Sequence, residues 1–153
     1  MLPVKKILYP TDFSSFSTPA YFHAVALAEN HNASLTVLYV LTPTELADEP
    51  PNRSFWRDQL EQVRPSNDAI PVHHVLLEGE PAIAIVRYAT DARMDLIVMG
   101  THGRDASEHP NILMGSVAEQ VLRGAPCSVL VVKMPKGQPS VERPHVGSVA
   151  SLN

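Results

Sequence analysis

Five short apolar runs alternate with segments of helical spacing along this chain, and that alternation leaves few folds open. The runs are Val4 to Tyr9, Ser34 to Val40, Val72 to Leu77, Asp95 to Met99 and Ser128 to Val132. They are short and largely β-branched or aliphatic, as strands covered on both faces should be. Between them Ala20, Ala24, Leu27 and Ala28 recur on one helical face. Phe55, Trp56, Leu60 and Val63 form a second stripe, and Ile85, Tyr88 and Ala89 a third. Gly115 to Arg123 reads as the last helix, ended by Gly124. The pattern predicts an α/β fold: a doubly wound, five-stranded parallel sheet with helices on both faces.

Proline tests this segmentation. The chain has 14 Pro against 7 Gly, enough to break long helices if they fell inside elements. They do not. Pro19 and Pro81 open helices, with Thr18 expected as the N-cap before Pro19. Pro10, Pro65, Pro71 and Pro126 border elements, and Asn32 ends the first helix. Leu41 to Asn52 reads as a polar, proline-punctuated loop.

Length and charge narrow the class. A domain of 153 residues buries roughly 70% of its unfolded surface, enough for one core. We expect residues 1–134 to form that domain. Residues 135–153, with three Pro, two Gly and no aromatics, read as a flexible C-terminal tail. The net charge of −4 and the lack of a basic stripe argue against nucleic acid. No 18-residue apolar run spans a membrane, and the N-terminus lacks a signal-peptide stretch. The single Cys127 cannot form an internal disulfide. The expected location is cytoplasmic.

In a doubly wound sheet, ligands bind beyond the carboxyl ends of the strands where the strand order reverses. With the first strand central, that crevice lies between the first and fourth strands. The loops after them, Pro10 to Ser14 and Gly100 onward, flank it. Gly100, Gly103 and Gly115 fall in the second loop, and Ser116 follows at a helix start. Glycines allow φ > 0 and close approach, and a helix N-terminus offers free N–H donors to an anion. Phosphate held by Gly103, Gly115 and Ser116 is one reading. A turn with a serine N-cap is the other. Neither a P-loop nor a G-x-G-x-x-G fingerprint is present. Asp12 is either a turn residue or a ligand contact at the switch point. His73 and His74 point to opposite faces of a strand and cannot share a metal. No nucleophile–base pair is visible, so no catalytic residue and no metal site is assigned.

The segments KKILYPTDFS (Lys5 to Ser14), ASLTVLYV (Ala33 to Val40), EGEPAIAIVRYA (Glu78 to Ala89), DLIVMGTHGR (Asp95 to Arg104) and GSVAEQVLRGAPCSVLVVK (Gly115 to Lys133) resemble, in this order, the universal stress protein family. The resemblance implies a Rossmann-like sheet of order 3-2-1-4-5. It also implies a regulatory stress-response protein, commonly a homodimer paired through the last strand, here Ser128 to Val132. ATP-binding members carry G-x2-G-x9-G-[ST], which falls on Gly100, Gly103, Gly115 and Ser116. Asp12 matches the acidic nucleoside contact, Val40 the backbone position beside adenine, and Met99 the strand end under the base. Pro10, Thr11, His102, Arg104 and Val117 flank these positions and complete the implied nucleotide site. The implied ligand is ATP, or AMP or ADP, with or without magnesium. One departure stands out. The loop from Arg104 to Met114 (RDASEHPNILM) is two residues longer than the family pattern and carries Asp105, Glu108 and Pro110. A nucleotide-free protein-interaction module of the same fold therefore remains an alternative, as does a weak ATP hydrolase.

Overall fold

A computed structural model describes residues 3–47, 53–102 and 114–134. The expected tail, 135–153, lies outside the described residues. Five strands run β1 (Lys6–Pro10), β2 (Ser34–Leu41), β3 (Val72–Glu78), β4 (Leu96–Gly100) and β5 (Ser128–Val132). The helices are α1 (Thr18–His31), α2 (Pro43–Ala47), α3 (Arg53–Glu61), α4 (Pro81–Asp91) and α5 (Ser116–Gly124). The strands form one sheet of order β3-β2-β1-β4-β5, and every pairing is parallel.

Strand alternation divides the core into two layers. Ile7, Tyr9, Leu35, Val37, Tyr39 and Val98 face α1 and α3, where they meet Ala20, Ala24, Ala28 and Leu60. Leu8, Leu38, Val40, Ile97 and Met99 face α4 and α5, against Ala82, Ile85, Ala89, Ala118 and Val121. The two-residue period of a strand sends successive side chains to opposite layers, which is why both faces of each central strand are apolar.

Several boundaries differ from expectation, among them the end of β4, which takes in Gly100, expected in the loop. The N-cap of α1 is Ser17 and not Thr18, with Pro19 inside the first turn. Pro10 belongs to β1 and pairs with Leu38. The segment expected to be only loop contains α2. Its start is a capping box: the Glu45 N–H donates to Thr42 Oγ1 at 3.3 Å, and the Thr42 N–H donates to Glu45 Oε2 at 2.8 Å. Asn32 does end α1, in the left-handed conformation at φ 52°. At the N-terminal ends of the strands, Asp95 Oδ2 accepts the N–H groups of Lys5 and Lys6, each at 2.9 Å, and so aligns β1 with β4.

A close backbone contact joins the turn before α1 to the end of β4. A Cβ placed on Gly100 would sit 2.4 Å from the Phe16 carbonyl oxygen. Gly100 is therefore required for close backbone approach, and its φ is not positive. Gly100→Ala should lower unfolding stability by about 1–3 kcal/mol, because backbone and not a flexible side chain must give way. A urea midpoint unchanged from wild type would refute this packing argument.

Candidate functional site

β1 and β4 are neighbours, yet the helices that follow them cover opposite faces of the sheet: α1 on one, α5 on the other. The two connections must diverge, and the crevice opens between them at the strand ends. Pro10 ends β1, Gly100 ends β4, and Val40 lies one residue before the end of β2. Val40 and Met99 are both buried in the layer facing α4 and α5.

The β1–α1 loop is held by its own side chains. The Thr11 N–H donates to the Leu38 carbonyl at 2.9 Å, extending the β1–β2 ladder by one bond. The Phe13 N–H donates to Thr11 Oγ1 at 3.0 Å, and Thr11 Oγ1 lies 3.2 Å from Ser17 Oγ. Ser17 Oγ donates to the Ser14 carbonyl at 2.8 Å. That bond uses the only Ser17 hydroxyl proton, so Thr11 is the donor to Ser17. A directed chain results: Phe13 N–H to Thr11, Thr11 to Ser17, Ser17 to the Ser14 carbonyl. The Tyr9 hydroxyl anchors the chain by donating to the Ser17 carbonyl at 2.9 Å. Burial pushes the Tyr9 phenol pKa up, against the opposing pull of its Ser17 and Thr11 contacts.

Asp12 is half-buried, and its Oδ1 accepts the Ser14 N–H at 2.9 Å. The turn reading of Asp12 is thus realised, and it holds the carboxylate at the mouth of the loop. Phe13 follows at φ 61°, a left-handed conformation uncommon for a bulky residue. Its ring lies 5.7 Å from Trp56, stacked at 14°, and 4.9 Å from Tyr39. Trp56 in turn stacks on Tyr39 at 4.8 Å. Phe55 meets Trp56 edge-on and is exposed. Among the described residues, Ser14 Oγ is the one buried side-chain polar atom without a hydrogen-bond partner.

On the β4 side, Thr101 is buried and its Oγ1 lies 2.9 Å from His102 Nδ1. The His102 ring sits 5.7 Å from Phe16, so the two loops touch. Gly103 and Arg104 lie outside the described residues. The Gly115 N–H donates to the Thr101 carbonyl at 2.7 Å and closes the excursion between them. Gly115 is the N-cap of α5 with φ −67°, so no left-handed conformation is used there. Ser116 is exposed at the first helical position, and the helix has no side-chain capping bond. The N–H groups of Ser116 and Val117 belong to the helix's first turn, which has no intrahelical acceptors. This donor set suits an anion.

Other candidates sit elsewhere. Cys127 packs at the opposite end of β4, where burial first and the Asp95 charge second push its thiol pKa up. A thiol so placed is a poor nucleophile. His74 is bound to the Val63 carbonyl at 2.9 Å. Among the described residues no group of three or more His, Cys, Asp or Glu side chains could hold a metal ion. None of their helices is long and apolar enough to cross a membrane.

Sequence reasoning missed the roles of Tyr9, Phe13, Ser17 and Glu45. The Thr42-Pro43-Thr44-Glu45 box was a usable signal for the last. The serine-rich run after Asp12 hinted at a side-chain-bonded turn. Nothing local marks Phe13 as left-handed.

Known proteins agree with this architecture. The profile of the Universal stress protein family matches residues 3–133. Universal stress protein MJ0531 of Methanocaldococcus jannaschii is 38% identical over 144 residues, covering 86% of this chain and 84% of that protein. The structure of universal stress protein UspA from Lactobacillus plantarum aligns with a TM-score of 0.70 at 30% identity, over 86% of this chain and 99% of that one. A universal stress protein solved in complex with cAMP aligns with a TM-score of 0.65 at 25% identity, over 88% of this chain and 100% of that one. The fold is Rossmann-like, and the chain belongs to the universal stress protein family.

An orphaned buried hydroxyl costs about 1–3 kcal/mol. Ser14→Ala should therefore leave stability unchanged or raise it. A clear fall in the urea midpoint would mean that the Ser14 hydroxyl has a stabilising partner.

Proposed function

We propose that this chain binds an adenine nucleotide in the crevice between β1 and β4 and acts as a regulatory dimer in a cytoplasmic stress response. The observation that carries the reading is the divergence of α1 and α5 from adjacent strands. It sets the Asp12 carboxylate and the N-terminus of α5 at the same end of the sheet. In this reading Asp12 accepts from the ribose hydroxyls. The backbone at Val40 meets the adenine edge, and Met99 packs beneath the base. Ser116 and Val117 donate to phosphate, joined by Gly103 and Arg104. Pro10, Thr11, Gly100, His102 and Gly115 shape the walls. Magnesium, if bound, would ride on the phosphates, since no carboxylate cluster stands ready for it among the described residues. The cAMP complex of a relative supports the nucleotide class. No side chain of the described crevice is arranged to activate water, so binding is the function proposed, and any hydrolysis would be slow.

Two features favour the second reading, a nucleotide-free interaction module. The Gly115 N–H is already engaged by Thr101, and the longer loop carries Asp105 and Glu108. Calorimetric titration with ATP, ADP, AMP and cAMP, with and without magnesium, separates the two. We expect saturable binding by wild type and at least a tenfold loss in Asp12→Ala, about 1.4 kcal/mol. Absence of binding by wild type, with no nucleotide released on denaturation, would leave only the second reading.

The dimer proposal rests on β5. Among the described residues it pairs only with β4 and presents an open edge, with Leu130 36% exposed. Such an edge invites a second strand. Light scattering should give two subunits for wild type and one for a folded Leu130→Lys variant. A monomeric wild type at micromolar concentration would refute it.

A further inference from the structure

We propose that Phe13 is a positioning residue for the Asp12 carboxylate, and that Trp56 on α3 and Tyr39 on β2 act through it. The inference rests on the nucleotide reading for what Asp12 does, but not for how Asp12 is held.

A residue directly after a side-chain-bonded aspartate, with φ at 61°, is where glycine or asparagine is usual. This chain places a phenylalanine there. Strained conformations persist only when their surroundings over-determine them, and they gather at sites of function. Here the surroundings are visible. The Phe13 ring is stacked on Trp56 at 5.7 Å and 14°, and packed on Tyr39 at 4.9 Å and 34°. Its N–H is tied to Thr11 Oγ1 at 3.0 Å. The two walls of this clamp come from outside the loop. Trp56 lies on α3, and Tyr39 is held by a hydrogen bond from its hydroxyl to Glu45 of α2.

The consequence for Asp12 is direct. With Phe13 left-handed, the chain turns back so that the Ser14 N–H reaches Asp12 Oδ1 at 2.9 Å. The same turn leaves Ser14 Oγ buried without a partner. A loop free to choose would avoid both the positive φ and the orphaned hydroxyl. The aromatic clamp is what keeps it from choosing. Removing the ring should release Phe13 from the left-handed region and uncouple Ser14 from Asp12. The carboxylate then loses the Ser14 N–H that directs its Oδ1, even though Asp12 itself is intact.

The test has a part that needs no nucleotide. Amide hydrogen exchange of Ser14 is measured by NMR in wild type, Phe13→Ala, Phe13→Tyr and Trp56→Leu. Amides at the centres of β1 and β2 report global stability. We expect Ser14 to exchange at least tenfold faster in Phe13→Ala, beyond any change in the strand amides. Phe13→Tyr, which keeps the ring, should restore wild-type exchange. Trp56→Leu leaves the loop sequence untouched, so it should move Ser14 in the same direction even if Phe13→Ala fails to fold. In the second part, calorimetry with ATP and cAMP should show at least tenfold weaker binding in Phe13→Ala and recovery in Phe13→Tyr. Trp56 is the only tryptophan. Its emission should respond to nucleotide in wild type and lose that response in Phe13→Ala. Wild-type Ser14 exchange in both Phe13→Ala and Trp56→Leu would overturn the proposal, as would an unchanged nucleotide affinity in Phe13→Ala. If wild type bound no nucleotide while Ser14 exchange followed the expected pattern, the nucleotide reading would fail and the clamp on Asp12 would stand.

Discussion

The backbone just before α1, at Phe16 and Ser17, approaches the end of β4 so closely at Gly100 that no side chain fits between them. Much else depends on that contact. The buried face of α1 is built from Ala20, Ala24 and Ala28, so the helix can lie low on the sheet along its length. At its start, the Tyr9 hydroxyl reaches the Ser17 carbonyl; at its end, Asn32 turns left-handed and sends the chain into β2. A larger residue at Gly100 would lift the N-terminus of α1 and, with it, the loop that carries Asp12. The crevice between β1 and β4 is therefore a product of core packing before it is a product of its own side chains.

The loop itself sits in a balance of opposing terms. A non-glycine residue at positive φ costs about 1–3 kcal/mol, and an orphaned buried hydroxyl costs a similar amount. Against them stand the directed bonds from Phe13 through Thr11 and Ser17 to the Ser14 carbonyl. Aromatic pairs add about 0.5–1.5 kcal/mol each beyond their buried area. Phe13, Tyr39 and Trp56 form three such pairs. The loop is stable because elements distant in sequence converge on it, so its geometry reports on α2 and α3 as well as on β1.

That dependence explains what could be read in advance. Strand and helix alternation was legible because both faces of the central strands are buried, and burial leaves its mark as continuous apolar runs. Asp12 and Ser116 were legible by position, since topology alone sends their loops to the strand ends. The N-cap of α1 was placed one residue late because Ser17 and Thr18 are both good caps by type. Ser17 nevertheless spends its hydroxyl on the Ser14 carbonyl, a choice set by the turn before it. α2 was hidden because five residues carry no apolar period. Its fixation comes from the Thr42–Glu45 box and from Tyr39, a tertiary contact. The left-handed Phe13 was out of reach for the same reason: what holds it lies on β2 and α3.

The glycines give the sharpest case of one pattern with two meanings. Gly100 is needed where the turn before α1 packs, and the Gly115 N–H closes the loop onto Thr101. Neither uses a positive φ. Gly100 would be required of a chain with this fold whether or not it met a phosphate, whereas the bond at 115 asks only for a backbone N–H. In the proposed site, the donors left for an anion are then the Ser116 hydroxyl and the first N–H groups of α5, together with whatever Gly103 and Arg104 contribute. Among the described residues, such a site draws its anion affinity from one helix end. The Arg104 to Met114 sequence adds two carboxylates, Asp105 and Glu108, whose charge disfavours each additional phosphate brought near them. Selection among adenine nucleotides by phosphate number would follow from that opposition, with the nucleoside end fixed by Asp12 in every case.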